Sequence, residues 1–305
     1  MLAACAVFAQ QEGAARAARV PVPLGERFGA LTLTGAVEWR ANRPDFGGFS
    51  GLVLEGGEGA FVALTDKAHW ARARMVLGAG GALTDIDGLE VGRLKATDGS
   101  ALDLPRSDSE ALTRQADGAF LIGFEGTPPR IGRFATLRMP EQTLPPLPGA
   151  QALPVNGSFE SVLALPDGRI VAVAETTADW AAGYPGWIGT GGAVARFTLA
   201  KDGWFAPTDM ALGPDGMWVY VLERRFTLIG GFAMRIRRFP LADLVAGARI
   251  EADFLGEITG APLAENYEGL ATAHDATGRT ILYAISDDNF RALQRTLLVQ
   301  FRVEK

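Results

Sequence analysis

Cysteine is nearly missing from this chain: Cys5 is the one thiol among 305 residues. An internal disulfide is therefore excluded, and so is a cysteine-based zinc site. Histidine is almost as scarce, with His69 and His274 alone. No run beyond the N-terminus approaches the roughly 20 apolar residues of a membrane-spanning helix. Helical periodicity is poor as well, and few stretches hold it for several turns. Neither a P-loop nor a dinucleotide-binding glycine fingerprint occurs. The net charge of −6 disfavours nucleic acid or an anionic membrane as a bulk partner.

What is present is a succession of short alternating runs. Met217-Trp218-Val219-Tyr220-Val221-Leu222 and Thr280-Ile281-Leu282-Tyr283-Ala284-Ile285 read as strands. Asp-Gly pairs at 117–118, 167–168 and 215–216 supply hairpin turns between such runs. Five units open alike, at Phe49-Ser50-Gly51-Leu52, Ser109-Glu110-Ala111-Leu112, Phe159-Glu160-Ser161-Val162, Thr208-Asp209-Met210-Ala211 and Tyr267-Glu268-Gly269-Leu270. Counted from Ser50 through Glu110, Glu160 and Asp209 to Glu268, the steps are 60, 50, 49 and 59 residues. Each opening is followed, one hairpin later, by a strand ending at Asp66, Glu125, Glu175, Glu223 or Asp287. A period of this length with several strands per unit predicts an all-β chain forming a single β-propeller. Five repeats are detected; the longer first and fourth intervals, with the termini, also accommodate a sixth blade. Strands expected at residues 20–24, 31–39 and 296–303 would close the ring by pairing an N-terminal strand with the last blade. The propeller then spans 19–305, and 1–18 is a leader or tail.

A two-stranded hairpin begins and ends on the same side of its sheet. The paired acids of all five units therefore belong at one mouth of the channel. So many carboxylates repel one another unless a positive charge sits among them. A hard divalent cation is the expected occupant, calcium before magnesium. Glu110, Glu160, Asp209 and Glu268 are the first expected ligands, followed by Asp66, Glu175, Glu223 and Asp287. Acids at hairpin ends also satisfy turn N–H groups, which is the competing account of each one. Lys67, Arg224, Arg225 and Arg291 follow rim acids and would hold an anionic substrate, unless they only balance the acids. His69 is a candidate general acid or base beside Glu160 and Arg224 as catalytic residues. A serine nucleophile would have to be Ser50 with His69 as base, but Gly48-Phe49-Ser50-Gly51-Leu52 lacks the closing glycine of a nucleophile elbow.

Met1-Leu2-Ala3-Ala4-Cys5 looks like the end of a lipoprotein signal, with Cys5 as the lipid-anchored residue. Residues 7–10 alternatively form a signal-peptide cleavage site, or the start is an ordinary apolar terminus. Export to the periplasm or beyond is the expectation drawn from these residues.

Asp45-Phe46-Gly47-Gly48-Phe49-Ser50-Gly51-Leu52, Thr65-Asp66, Asp108-Ser109-Glu110-Ala111-Leu112, Pro207-Thr208-Asp209-Met210-Ala211, Leu222-Glu223-Arg224-Arg225-Phe226, Asn266-Tyr267-Glu268-Gly269-Leu270 and Ser286-Asp287-Asp288-Asn289-Phe290 resemble the phytase-like family. Its bacterial members are named for esterase-like activity of phytase. The resemblance runs over residues 31–301. It implies an exported propeller and, by analogy with propeller phytases, calcium-dependent hydrolysis of phosphate or related esters. Ser50 departs from the pattern, since the other four openings carry an acid. The alternative is a noncatalytic cell-envelope propeller that binds a ligand or protein at its mouth.

Overall fold

The computed structural model describes residues 15–56, 59–103, 106–176 and 183–304. Cys5 and the cleavage-like stretch after it lie outside the described residues. Short apolar runs broken by glycine turns give antiparallel strands, gathered into five sheets. The inner strands are Phe49–Leu54, Ser109–Arg114, Ser161–Ala164, Ala206–Leu212 and Asn266–His274. Each contacts the next, and the last contacts the first. The molecule is a five-bladed β-propeller, with no sixth blade among the described residues.

Closure follows the expected route. Leu31–Ala41 pairs antiparallel with Leu297–Val303, so an N-terminal strand completes the fifth blade. Ala15–Arg19 adds a further strand outside it, within the stretch expected as leader. The strand expected at 20–24 does not form. Pro21 and Pro23 have no N–H to give to a ladder, and Val20 makes only a single bond to the Ala36 carbonyl.

The core is divided among the interfaces between blades. Strand side chains alternate between two faces, and both faces of a blade are covered. Leu52 thus packs toward the fifth blade with Trp39 and Ile285, while Val53 packs toward the second with Leu112 and Ile122. The same alternation recurs at Val162 and Leu163, Met210 and Ala211, and Leu270 and Ala271.

One charged triad, in which Glu223 pairs with Arg235 and Arg237, is sealed inside the fourth blade. Glu223, fully buried, lies directly opposite Arg235 in the ladder between Trp218–Thr227 and Gly231–Pro240. Arg235 Nε donates to its Oε2 at 2.6 Å and Arg237 Nε to the same oxygen at 2.9 Å. Removing one partner strands buried charge. Glu223→Ala is expected to lower unfolding stability by about 3–5 kcal/mol, read by urea denaturation.

Candidate metal site

The pairing register decides what reaches the axis. Four inner strands carry a bulge at their opening, which leaves Ser50, Glu110, Thr208 and Glu268 as the extra residue. In the third blade the ladder begins at Ser161, so Glu160 stands just ahead of it. A bulge bends its strand and re-aims the side chain. The first level is therefore Ser50, Glu110, Glu160, Thr208 and Glu268, of which the three glutamates line the mouth. Asp209, expected at this level, falls one residue further on, at the position of Gly51 and Gly269. A shift of one residue turns a side chain to the other face. Its buried carboxylate instead accepts N–H bonds from Met210 at 2.8 Å and from Leu270 of the next blade at 2.7 Å.

The second level shows the same slip. Asp66 and Glu125 follow Thr65 and Phe124, which pair with Phe49 and Ser109, while Asp287 pairs with Asn266. In the fourth blade the matching residue is Arg224, paired with Ala206, and Glu223 is the residue before it. Glu223 accordingly belongs to the sealed triad and does not line the mouth. Four blades present an acid at this position, and the fourth presents a guanidinium.

These residues meet in a cavity of about 280 Å³ lined by Asp66, Asp108, Glu110, Glu125, Asn156, Gly157, Glu160, Glu175, Arg224, Glu268, Asp287 and Asn289. Arg224 reaches Glu175 Oε1 at 3.1 Å and Glu268 Oε1 at 3.2 Å. Burial alone would lower the Arg224 pKa, but Glu268, Glu175, Glu160 and Glu110 together raise it, so the guanidinium stays charged. On the other side, carboxylate oxygens of Asp108, Glu110 and Glu125 lie within 4.8 Å of one another. Glu125 is fixed there by the Ser158 N–H at 2.6 Å. Asp108 and Asn266, which sequence reasoning missed, each stand two residues before a rim glutamate. The spacing in Asp108-Ser109-Glu110 and Asn266-Tyr267-Glu268 was the available signal.

Ser50 and the remaining expected residues lie apart, and so does Thr208. Ser50 donates its hydroxyl to the Ser109 carbonyl at 2.6 Å, and Thr208 donates to Tyr267 at 3.0 Å, each tying its blade to the next. His69 does not line the cavity; burial, then Arg93, lowers its pKa. Lys67 Nζ sits 3.2 Å from the centre of the Phe290 ring. Arg225 faces Glu257 at 3.5 Å, and the Arg291 side chain is exposed. None of these lines the mouth.

Crowding without enough positive charge leaves the acids hard to ionise. Burial, then Asp287, lifts Asp66 to about 7. Burial lifts Glu268 to about 8 against the pull of Arg224, and lifts Asp287 to about 6 against the Asn289 N–H. Glu110 and Glu160 are raised well above the ordinary range, by burial first and neighbouring carboxylates second. A carboxyl whose pKa is higher in the folded state favours folding when protonated. That contribution is complete below the unfolded carboxyl pKa and is lost as pH rises through the folded value. The metal-free protein is therefore expected to lose melting temperature between pH 5 and pH 8, with the three acids near 6, 7 and 8 setting the window. Arg224→Gln should steepen the fall. A flat profile by calorimetry in chelator would count against this electrostatic description.

A family profile described as "Esterase-like activity of phytase", of the phytase-like group, matches residues 44–290. A search of the curated proteins finds no match. Among solved structures, the fold is similar to the catalytic domain of the Coprinopsis cinerea GH62 alpha-L-arabinofuranosidase. That match has 10% identity and a TM-score of 0.54, covering 90% of this chain and 97% of that one. It is also similar to the Podospora anserina alpha-L-arabinofuranosidase PaAbf62A in complex with cellotriose, with 10% identity, a TM-score of 0.51 and the same coverages. At such identities the likeness is one of fold. With the family profile spanning residues 44–290, the chain belongs to the phytase-like family.

Proposed function

We propose that the acidic mouth is the active site of a hydrolase acting on phosphate or related esters, with a divalent cation, calcium first, held by Asp108, Glu110 and Glu125. The single observation behind this reading is the approach of those three carboxylate oxygens within 4.8 Å. Calcium takes oxygen ligands at about 2.3–2.6 Å, so ligands across one ion stand up to about 5 Å apart. The donor set fits: it is all oxygen, and Asp66, which lines the same cavity, has a buried Oδ1 with no hydrogen-bond partner. When bound, such an ion supplies Lewis acidity and a more acidic water.

The chain's own residues do the rest. Glu160 stands between the two halves, within electrostatic reach of Glu125 on one side and of Glu175 and Arg224 on the other. In this reading it accepts the proton of an attacking water. Arg224 Nε is buried against Glu268 at 3.2 Å, and the part of the guanidinium that remains exposed is the cation beside which a substrate oxygen would sit. In the hydrolysis, water oxygen bonds to the phosphorus or acyl carbon and the ester bond to the alcohol oxygen breaks. One water proton passes to the carboxylate, and the departing alcohol is protonated.

Titration calorimetry of chelator-stripped protein with calcium is expected to show binding that Glu110→Gln weakens at least about tenfold. A panel of phosphomonoesters, phosphodiesters and acyl esters should show calcium-dependent turnover that Arg224→Ala lowers about 100-fold or more. Absence of heat together with an unchanged melting temperature would remove the cation from the scheme. No turnover of any ester would overturn the hydrolase and leave a binding propeller.

A further inference from the structure

The most exposed large apolar side chains belong to loops at one end of the blades. Leu228, Ile229, Leu293 and Trp204 are 95%, 103%, 97% and 75% exposed, and no other large apolar residue described exceeds Met217 at 61%. All four belong to loops on the mouth side. The strand that brings Arg224 to the cavity runs on through Thr227, and the chain turns back at Gly231, so Leu228 and Ile229 form the tip of that hairpin. Leu293 sits in the loop that begins at Asp287, and Trp204 in the link leading to Ala206–Leu212. Fully exposed aliphatic side chains beside a polar cleft are unfavourable unless something covers them.

The hairpin tip is built to hold its position. Thr227 Oγ1 accepts the Gly230 N–H at 2.9 Å, and Phe226 packs on Phe232 with ring centres 4.8 Å apart. Leu228 stands four residues beyond Arg224, about 13 Å along an extended strand. The cavity itself carries one guanidinium among its carboxylates. It therefore suits a small polar head of low negative charge, and repels a head bearing many phosphates. We infer that the substrate is an amphiphilic ester, with its scissile group in the acidic mouth and an alkyl or aryl arm lying over Leu228 and Ile229. This assignment rests on the hydrolase reading and narrows its substrate class.

Two series of p-nitrophenyl substrates test it: acyl esters from acetyl to decanoyl, and alkyl phosphates of matching lengths. In whichever series is turned over, KM is expected to fall about threefold per methylene until the arm covers the tip. The Leu228→Ser/Ile229→Ser double variant should flatten that fall while leaving kcat and the KM of the shortest member unchanged. Leu293→Ser gives a second readout from the opposite loop. A KM independent of chain length, or an equally steep fall in the double variant, overturns the inference and leaves the hydrolase standing. If the substitutions change only self-association or binding to phosphatidylcholine vesicles, the tip serves a surface and the inference falls. Turnover of neither series overturns the hydrolase reading and this inference with it.

Discussion

Space at the axis governs this propeller. Where the inner strands converge, a side chain as small as a methyl meets its neighbour: a Cβ on Gly51 would lie 2.7 Å from Leu112 Cβ, and one on Gly269 would lie 2.9 Å from the Gly51 carbonyl carbon. Only small residues fill that level in most blades, namely Gly51, Ala111, Ser161 and Gly269. Close approach of backbones there lets each blade bury both faces against its neighbours. The bulge just above it is the other half of the same arrangement, since larger side chains at the next residue have to be turned out toward the mouth. Asp209 is the exception at the crowded level. Its carboxylate occupies the gap by accepting two backbone N–H bonds. Burial still raises its pKa well above the ordinary value.

The repeat, the blade count and the closing strand were legible because each has a periodic signal. The turns recur, the apolar runs alternate, and the termini carry unpaired strands that need partners. Most of the mouth was legible too: Asp66, Glu110, Glu160, Glu175, Glu268, Asp287 and Arg224 all line the cavity. The fourth blade misled the eye by one residue in both strands. Thr208-Asp209 and Glu223-Arg224 each offer an acid beside the position that faces the axis, so the acid pattern of the other repeats points to the wrong residue. Register is set by cross-strand pairing, in which Pro207 opposes Glu223 and Ala206 opposes Arg224. No local composition reveals that pairing. The partners of Lys67 and Arg225 were equally hidden, since Phe290 and Glu257 are distant in sequence.

The two slips leave the fourth blade with a hydroxyl and a cation where the second has two glutamates. That asymmetry divides the mouth. Arg224 partly neutralises the side of Glu175 and Glu268 from within the fold, and its own charge is secured by them. A guanidinium is fixed in place and always protonated, so this side keeps one positive charge at every pH at which the protein is folded, shared between two carboxylates. The Asp108, Glu110 and Glu125 side has no such neighbour among the residues that line the cavity. Protonation or an external cation are its two means of relief, and they exclude one another, because a proton removes the charge that a metal needs. Glu160 lies at the seam, raised by burial first and then by acids from both sides, and lowered by Arg224. Its charge state therefore responds to whichever means the open half adopts. A site that joins a built-in cation to an exchangeable one thus has, at the boundary, one carboxylate whose affinity for protons reports on both.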